Sequence, residues 1–232
     1  MNRIVWQRLA HYLRTGDLIA LGILAGRGVR VVQLDHVMVM GRTLEGADPE
    51  LEKLRARHPE LRTRFALPAD LPVLDATFPN HSGEYGGRLR QGDHCLLLER
   101  DSRPVAFTWL KLYPEVVITE IGFHVALPPR AAWGYDTWVV TEARRTGVFL
   151  LLMHEVMAEL RRRAVPSLFA TITHTNHESV AAHERLQYRV VRTLSRVQFP
   201  GGALYRSRPP GGRARWVMAA HRAPAVMVDV PG

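Results

Sequence analysis

The fold of this chain is decided by the stretch Trp138-Val-Val-Thr-Glu-Ala-Arg-Arg-Thr-Gly-Val148. It opens with an apolar, strand-like run, and its two arginines and its glycine directly precede an apolar-periodic helix that we expect over 148–163. Backbone amides at a helix start carry the positive end of the helix dipole, and neighbouring arginines add full positive charges. The stretch therefore predicts a binding site for a phosphate-bearing ligand at a strand-turn-helix junction.

A second junction of a strand and a helix follows further along the chain. A strand expected over 167–173 leads to Asn176, which can cap a helix expected over about 177–186. Thr175 and Glu178 also fit a capping box, so the start of this helix has a purely structural explanation as well. The cap alone does not distinguish a ligand site from an ordinary helix start.

Polar side chains continue from this junction along one face of the second helix. Ser179 and His183 are four residues apart and share a face, whereas Ala182 and Leu186 present a different, apolar face. A polar stripe that begins where a strand ends is what a ligand site between two neighbouring strands requires. The two junctions are therefore candidates for one shared site.

The order of the predicted elements indicates α+β or mixed α/β architecture, because several strands are followed by strand–helix–strand–helix–strand. Further strands are expected at 29–40, 116–126, 135–140, 189–199 and 216–219, with a hairpin that pairs 95–99 with 105–110. Helices are expected at 1–25 and 49–58, loops or short helices at 59–75 and 80–92, and a loop at 206–213.

The composition is that of an ordinary soluble globular protein, with 47% hydrophobic and 23% charged residues. Cys95 is the only cysteine, which excludes an intrachain disulfide and a CxxC metal site, and we expect it to be a small core residue. The net charge of +9 is nearly all arginine, since Lys53 and Lys111 are the only lysines. We attribute this bias to a GC-rich bacterial genome and expect a cytoplasmic protein with a solvated basic surface and no nucleic-acid partner.

The chain divides into three parts by its pattern. Residues 1–28 predict an amphipathic helical extension, and its helix at 1–25 either packs on the domain or lies on a membrane surface. Residues 29–220 predict one domain, with its motifs between 94 and 200, and 221–232 form a C-terminal tail. No run approaches the roughly 20 apolar residues that a membrane-spanning helix needs.

Together the two junctions resemble the GCN5-related N-acetyltransferase (GNAT) superfamily. In that family a strand-turn-helix with the signature Q/R-x-x-G-x-G/A binds the pyrophosphate of acyl-CoA. Arg144 and Gly147 match this signature, and Phe149 stands where a small residue is usual. The ring could crowd the pyrophosphate turn, or it could face the core.

The second family signature, a helix that opens with N-x-x-A/S and continues through Y-E-K-L-G-F, is matched by Asn176, Ser179 and Glu184-Arg-Leu186. Gln187-Tyr188 replaces the usual Gly-Phe. The resemblance covers roughly residues 94–200. It implies a central, mostly antiparallel, V-shaped mixed sheet flanked by helices, preceded here by an N-terminal helical and strand extension.

The resemblance implies acetyl-CoA, or another acyl-CoA, as co-substrate and no metal. A backbone amide near Val139–Val140 would polarise the thioester, and the pantetheine arm would lie between the strands that end at Val140 and Thr173. The implied contacts to the co-substrate are Val139, Val140, Arg144, Arg145, Thr146, Gly147, Val148, Phe149, Asn176 and Ser179.

Three residues are candidates for acid and base chemistry by the same resemblance. Asp136, on the strand before the turn, is the first candidate for the base that deprotonates the amine, and Glu120 on a neighbouring predicted strand is the second. Asp136 has a structural alternative as a partner of Arg144 or Arg145. His183 takes the position of a tyrosine that often protonates the leaving thiolate, and its alternative is a surface histidine without a task.

The function that the resemblance implies is N-acetyl transfer from acetyl-CoA to the primary amine of a small molecule or amino sugar, by a monomer or a homodimer. Two alternatives stay open. The acceptor could be a peptide or a cell-surface glycan precursor, or the chain could be a non-catalytic acyl-CoA-binding or interaction module.

Overall fold

The computed structural model describes residues 33–78, 83–112, 114–199, 202–219 and 225–229. The extension predicted over 1–28, with its helix at 1–25, lies outside these residues, as does most of the 221–232 tail. The strands are β1 (Gln33–Thr43), β2 (Leu61–Phe65), β3 (His94–Arg100), β4 (Arg103–Lys111), β5 (Glu115–Ile118), β6 (Phe123–Ala126), β7 (Ala132–Val139), β8 (Ser167–Thr173), β9 (Arg189–Phe199), β10 (Gly202–Arg208), β11 (Arg215–Ala219) and β12 (Ala225–Met227). The α-helices are α1 (Pro49–Arg57), α2 (Leu71–Thr77), α3 (Tyr85–Arg90), α4 (Val148–Arg162) and α5 (His177–Arg185), and 3₁₀ turns occur at Pro68–Asp70 and Thr141–Ala143.

Nine strands form the main sheet in the order β11-β10-β9-β1-β8-β7-β4-β3-β2, and β12-β6-β5 form a smaller sheet. In the main sheet β7 and β8 run parallel, and every other described pair is antiparallel. This is the mostly antiparallel mixed sheet, flanked by helices, that the family resemblance implied, so the predicted fold class is confirmed.

The parallel pair separates soon after it begins. Strands β7 and β8 are paired only from Ala132↔Leu168 to Gly134↔Ala170. Both strands continue beyond this point, β7 to Val139 and β8 to Thr173. Because neighbouring strands are joined by backbone hydrogen bonds, the loss of pairing opens a V-shaped gap whose walls are strand backbone.

Helix α4 covers one face of the main sheet. Its buried positions include Val148, Leu151, Leu152, Val156 and Leu160, which recur at helical spacing and pack on the core. The opposite face is covered in two places: by the small sheet, through residues such as Phe123 and Val125, and by α2 and α3, through Tyr85 and Leu74. Strands β7 and β8, which form the walls of the gap, are therefore packed between α4 on one face and the small sheet with α2 and α3 on the other.

Strand β1 lies in the middle of the sheet although it comes first in the described chain. It pairs with β8 from Val37↔Thr173 to Thr43↔Ser167 and with β9 from Gln33↔Gln198 onwards. The strand predicted at 29–40 is thus present with its end shifted to Thr43. None of the described helices is both long and apolar enough to cross a membrane.

Three predictions about the elements need correction. The single strand expected over 116–126 is a hairpin, β5 and β6, whose turn closes with the Gly122 amide donating to the Ile118 carbonyl at 2.7 Å. The segment at 59–75, expected to be a loop or short helices, contains the start of helix α2 but also strand β2, which was not predicted. Strand β10 extends to Arg208, into the segment expected to be a loop.

A polar cluster joins the loop before α1 to the back of α4. The Asp48 carboxylate accepts from His154 Nδ1 at 2.8 Å and from Arg161 Nη1 at 3.2 Å, and Arg161 Nε donates to the Leu44 carbonyl at 3.1 Å. Burial raises the pKa of Asp48, but the hydrogen bonds and charges of His154 and Arg161 outweigh burial and hold that pKa below its usual value. The cluster fixes the start of α1 against α4, the helix that begins at the turn after β7.

We expect Asp48→Asn to lower the free energy of unfolding by about 2 kcal/mol at pH 7, because it leaves the half-buried Arg161 guanidinium without its carboxylate. A carboxyl group with a depressed folded-state pKa stabilises the fold above its unfolded pKa, and this contribution is lost as the pH falls through the folded pKa. Urea unfolding from pH 7 to pH 3 measures both effects. Glu45→Gln, at an exposed neighbouring carboxylate, is the matched control. Equal losses in the two variants would contradict the role of the cluster.

Candidate active site

The turn between β7 and α4 has the backbone that the sequence predicted. After the 3₁₀ turn at Thr141–Ala143, Arg145 has φ +64° and Gly147 has φ +93°, and α4 begins at Val148. A residue with a side chain at Gly147 would be strained, and its Cβ would lie 3.4 Å from His58 Nε2. The glycine of the motif is therefore required by backbone conformation.

Six consecutive backbone amides at the end of this turn and the start of α4 have no acceptor among the described residues. The amides of residues 145–150 donate to no acceptor within the described residues, and Leu151 is the first to bond back, to Gly147, at 3.0 Å. These donors stand at the start of a helix that extends to Arg162, so they carry the positive end of its dipole. They fit a pyrophosphate, which presents several acceptor oxygens close together.

The two arginines of the turn have different surroundings. Arg144 folds back over β7, donating from Nε to the Val139 carbonyl at 3.1 Å with its guanidinium 5.2 Å from the Trp138 ring centroid. The side chain of Arg145 is 91% exposed and lies 3.9 Å from Glu178 at the start of α5. Arg145 is thus the more available of the two cations for an anionic ligand.

The backbone at the end of β7 corrects one detail of the prediction. The Val140 amide donates to the Val105 carbonyl of β4 at 2.9 Å, so it is not available to polarise a thioester. Successive residues of a strand direct their backbone groups to opposite sides. The amide and the carbonyl of Val139 therefore face the gap, where Arg144 holds the carbonyl.

On the other wall of the gap, Asn176 caps α5 with its side chain. Its Oδ1 accepts from the Ser179 amide at 3.1 Å, which makes Asn176 the N-cap and excludes the capping box predicted for Thr175 and Glu178. Glu178 instead faces Arg145, although both side chains are more than 90% exposed and the pair contributes little. Asn176 and Ser179 lie at the end of β8, as the motif implied.

The two departures from the family pattern contact each other. The ring centroids of Phe149 and His183 are 5.6 Å apart, and His183 also packs edge-on against Tyr188 at 5.0 Å. Phe149 packs on the buried core of α4 and α5, which is the second of the two alternatives left open by the sequence. Phe149 on α4 is thus larger than the residue usual in the family, and its neighbour His183 on α5 is smaller than the tyrosine that the family often has there.

The surroundings of His183 disfavour a general-acid role. The side chain is buried, which lowers its pKa, although a hydrogen bond to the Ser179 carbonyl at 2.8 Å opposes this effect. The ring is therefore neutral at pH 7, and the bond to a carbonyl requires the single proton to be on Nδ1. No proton remains on Nε2 for a leaving thiolate.

Asp136 lies at a β-bulge, where the β4–β7 register shifts between Phe107 and Trp109. Its φ is +48°, in the left-handed region, which is rare for a residue with a side chain. The carboxylate is paired with Arg88 of α3 and with neither Arg144 nor Arg145, which were its predicted structural partners. The bulge turns Asp136 towards the layer formed by α2 and α3.

Arg88 was not predicted, because the glycine-rich segment that carries it gave no clear pattern. Its guanidinium lies 5.2 to 5.5 Å from the ring centroids of Tyr85, Trp109 and Tyr135, and it also bonds Glu84 at 2.9 Å. These contacts hold Arg88 against Asp136 with little freedom to move.

A second polar group beside Asp136 was also missed. The Tyr135 hydroxyl donates to Asp93 at 2.5 Å, and Lys111 lies 3.8 Å from the same carboxylate and 5.1 Å from the Tyr135 ring. Burial, followed by the bond to Asp93, raises the pKa of Tyr135, so the hydroxyl stays protonated at pH 7. The rarity of lysine was the one signal in the sequence that could have indicated Lys111.

Glu120 is not on a strand beside Asp136. It lies exposed in the turn of the β5–β6 hairpin, where its carbonyl accepts from Arg196 of β9 at 2.8 Å. No described contact joins it to Asp136, to the turn after β7 or to Asn176. The described residues also contain no cluster of three or more His, Cys, Asp or Glu arranged to hold a metal ion.

A cleft of about 560 Å³ lies on the α4 side of the sheet and is separate from the gap. It adjoins the turn through His58, whose Nε2 donates to the Thr146 carbonyl at 3.0 Å. Four of the five arginines that line it are in ion pairs: Arg55 with Glu155, Arg64 with Glu99, and both Arg162 and Arg163 with Glu159. The cleft supports the turn from behind and presents little free charge to a ligand.

Among the solved structures that are similar to the chain, two with TM-scores of 0.50 and 0.56 support the fold. A Drosophila protein matches at 18% identity and a TM-score of 0.48, over 82% of this chain and 57% of that one. A glucosamine N-acetyltransferase region of a fungal multi-domain β-N-acetylglucosaminidase matches at 14% identity and a TM-score of 0.56, over 75% and 22%. A protein assigned to the GNAT family from Novosphingobium aromaticivorans matches at 16% identity and a TM-score of 0.50, over 72% and 65%. The chain thus spans less than two thirds of each of these proteins.

A search of curated proteins found no match to the chain. The family model described as the acetyltransferase (GNAT) family matches residues 59–188, which include β7, the turn, α4, β8 and α5. The matched residues make up more than half of the chain and contain both walls of the gap. The chain therefore belongs to the GNAT acetyltransferase family.

Proposed function

We propose that the chain is an acyl-CoA-dependent N-acyltransferase that moves an acetyl group from acetyl-CoA to the primary amine of a small molecule or a sugar. The observation that carries the proposal is that the diverging β7–β8 pair ends at a turn where the amides of residues 145–150 have no acceptor in the described part of the chain. The gap offers strand backbone to an extended arm, and the turn offers anion-binding donors at its end. Family membership supplies the reaction class.

The residues at the gap fit the co-substrate. The amides of residues 145–150 and the exposed Arg145 would hold the pyrophosphate, with Gly147 giving the turn its conformation. The backbone groups of Val139 would bond the pantetheine arm once Arg144 leaves the Val139 carbonyl. Asn176 and Ser179 would form the far wall.

Proton handling at the acceptor is assigned to Asp136. An amine is protonated at pH 7 and attacks a thioester only after losing a proton. Asp136 would take that proton while Arg88 fixes the orientation of its carboxylate. The new C–N bond forms as the C–S bond breaks, and the Val139 amide would stabilise the charge that develops on the carbonyl oxygen. The nitrogen loses its second proton to solvent, and the thiolate takes one up from solvent, since His183 has none to give on Nε2.

The proposal specifies the acceptor only by its chemical class. The fungal region is described as acting on glucosamine, and a sugar amine is among the acceptors that we propose for this chain. A peptide or a glycan precursor is the alternative acceptor. We propose that the protein works in the cytoplasm as a monomer or a homodimer, within a domain spanning 29–220.

A second candidate function is a non-catalytic acyl-CoA-binding module. One observation favours it: the carboxylate proposed as the base is already paired with a guanidinium that three aromatic rings hold in place. If Arg88 never releases or shares Asp136, the site binds the co-substrate without transferring its acyl group.

We expect acetyl-CoA to raise the melting temperature of the protein in a saturable manner, as any ligand of the folded state does. Gly147→Glu should abolish this rise, because it puts a side chain and a negative charge at a position with φ +93° inside the anion site. Gly46→Glu, at φ +76° with no atom within 4 Å of its Cβ, is the matched control. ATP and desulfo-CoA test ligand specificity. An unchanged shift in Gly147→Glu would remove the phosphate site from the turn.

We expect Asp136→Asn to lower the rate of CoA thiol release with an amine acceptor by about 100-fold or more, as loss of a general base does. The melting shift with acetyl-CoA should survive, and Glu120→Gln should keep full activity because Glu120 is remote from the gap. A thiol-release assay with a panel of amines measures the activities of both variants. Equal activity in Asp136→Asn and the parent would exclude the base role, and binding without any turnover would favour the binding module.

The contact between Phe149 and His183 predicts energetic coupling. In a double-mutant cycle, Phe149→Ala and His183→Tyr should change the free energy of unfolding non-additively by about 0.5–1.5 kcal/mol. The reason is that the larger tyrosine can occupy space vacated by the phenyl ring. The control cycle pairs His183→Tyr with Leu150→Ala, the next residue of α4, and should be additive within about 0.5 kcal/mol. Urea denaturation measures all variants, and additivity in both cycles would contradict the coupling.

A further inference from the structure

The excess positive charge of the chain is confined to one segment. The whole chain has 31 Lys and Arg against 22 Asp and Glu, a net charge of +9. Residues 185–228 contain nine arginines and no Asp or Glu, so the remainder of the chain is balanced to zero. A charge asymmetry of this kind points to an anionic partner.

The fold gathers this segment at one edge of the main sheet. Strands β9, β10 and β11 are the last three in the sheet order, and β11 is the terminal strand. Arg192 and Arg196 are used internally, bonding Ser207 at 3.2 Å and Asp35 at 2.6 Å. Arg208, Arg213 and Arg215 are exposed and make no ion pair with any described residue.

Apolar side chains are exposed at the same edge. Leu204 pairs with Met218, and Arg206 pairs with Trp216, so these four side chains share one face of the β10–β11 hairpin. Arg208, two residues after Arg206, extends the same face. Met218 is 74% exposed and Trp216 is 40% exposed. We define these five residues, together with the exposed Arg213 and Arg215 at the end of the same hairpin, as the hairpin patch.

We propose that the hairpin patch docks on an anionic lipid membrane surface. Arginines without carboxylate partners are attracted by the negative potential of such a surface, and an indole beside them suits the headgroup region. The guanidinium of Arg206 lies 5.6 Å from the Trp216 ring centroid, which keeps charge and aromatic surface together. The exposed Met218 has no hydrogen-bonding role and fits the acyl boundary beneath the headgroups.

The exposed apolar side chains favour a membrane over a nucleic acid. Binding of single-stranded nucleic acid uses aromatic faces as stacking platforms, and one face of the Trp216 ring is already covered by Arg206. A nucleic acid would also leave Met218 exposed next to phosphates. The proposal concerns described residues at the opposite end of the chain from the 1–25 segment, and it does not rest on the proposed acetyl transfer.

The test is co-sedimentation of the full chain with vesicles of phosphatidylcholine and with vesicles that also contain phosphatidylglycerol. We expect binding to the anionic vesicles that weakens with added salt. Replacing Arg208, Arg213 and Arg215 together by glutamine should weaken it on the order of a hundredfold, from the loss of three charges near the surface. The double variant Trp216→Ser, Met218→Ser should weaken the part of the vesicle binding that persists at high salt.

The matched control replaces Arg57, Arg90 and Arg103, exposed arginines away from the hairpin patch, by glutamine and should bind as the parent does. Melting temperatures without ligand show whether each variant is folded. Equal loss in the control variant, equal binding to neutral vesicles or no binding to either vesicle would overturn the proposal. Tighter binding to a single-stranded oligonucleotide than to anionic vesicles, lost in the same arginine variant, would reassign the patch to nucleic acid.

Discussion

The loss of pairing between β7 and β8 after Gly134 and Ala170 is the constraint on which the rest of the site depends. Buried backbone amides and carbonyls are costly to leave without partners, so two strands that part inside a sheet need either a ligand or covering side chains between them. In this structure Arg144 covers one such carbonyl, that of Val139. The Arg144 guanidinium occupies the position that the polar groups of an extended ligand would take along β7. This position adjoins the turn between β7 and α4, where the helix dipole is positive.

The two sides of the gap are built by different parts of the chain. The side that we propose for the co-substrate comes from contiguous motifs, because a turn and the helix after it fix their own backbone. The side that we propose for the acceptor is assembled from side chains that are distant in sequence: Arg88 from α3, Asp93 before β3 and Lys111 at the end of β4 all converge on Tyr135 or Asp136. Such an arrangement lets acceptor preference vary without disturbing the turn, which agrees with the general separation of scaffold and specificity.

How far the sequence predicts the structure depends on how local the determining interactions are. The strands at 167–173 and 189–199 and the glycine at Gly147 follow from apolar runs and from turn chemistry, and all three are present. The strand and the helix that begin between 59 and 75 span only five and seven residues, so their pattern was too short to read. The pairing of Asp136 with Arg88 depends on a bulge and a helix crossing that no spacing in the sequence records.

The central position of β1 has a consequence for how the molecule is made. Its partners, β8 and β9, lie more than a hundred residues later in the chain, so a growing polypeptide exposes β1 long before either partner exists. Closing such distant pairs costs loop entropy that is repaid only when the sheet is complete, which slows folding. The sheet becomes continuous only when the last strands are synthesised, and until then an apolar strand waits unpaired and prone to association with other chains.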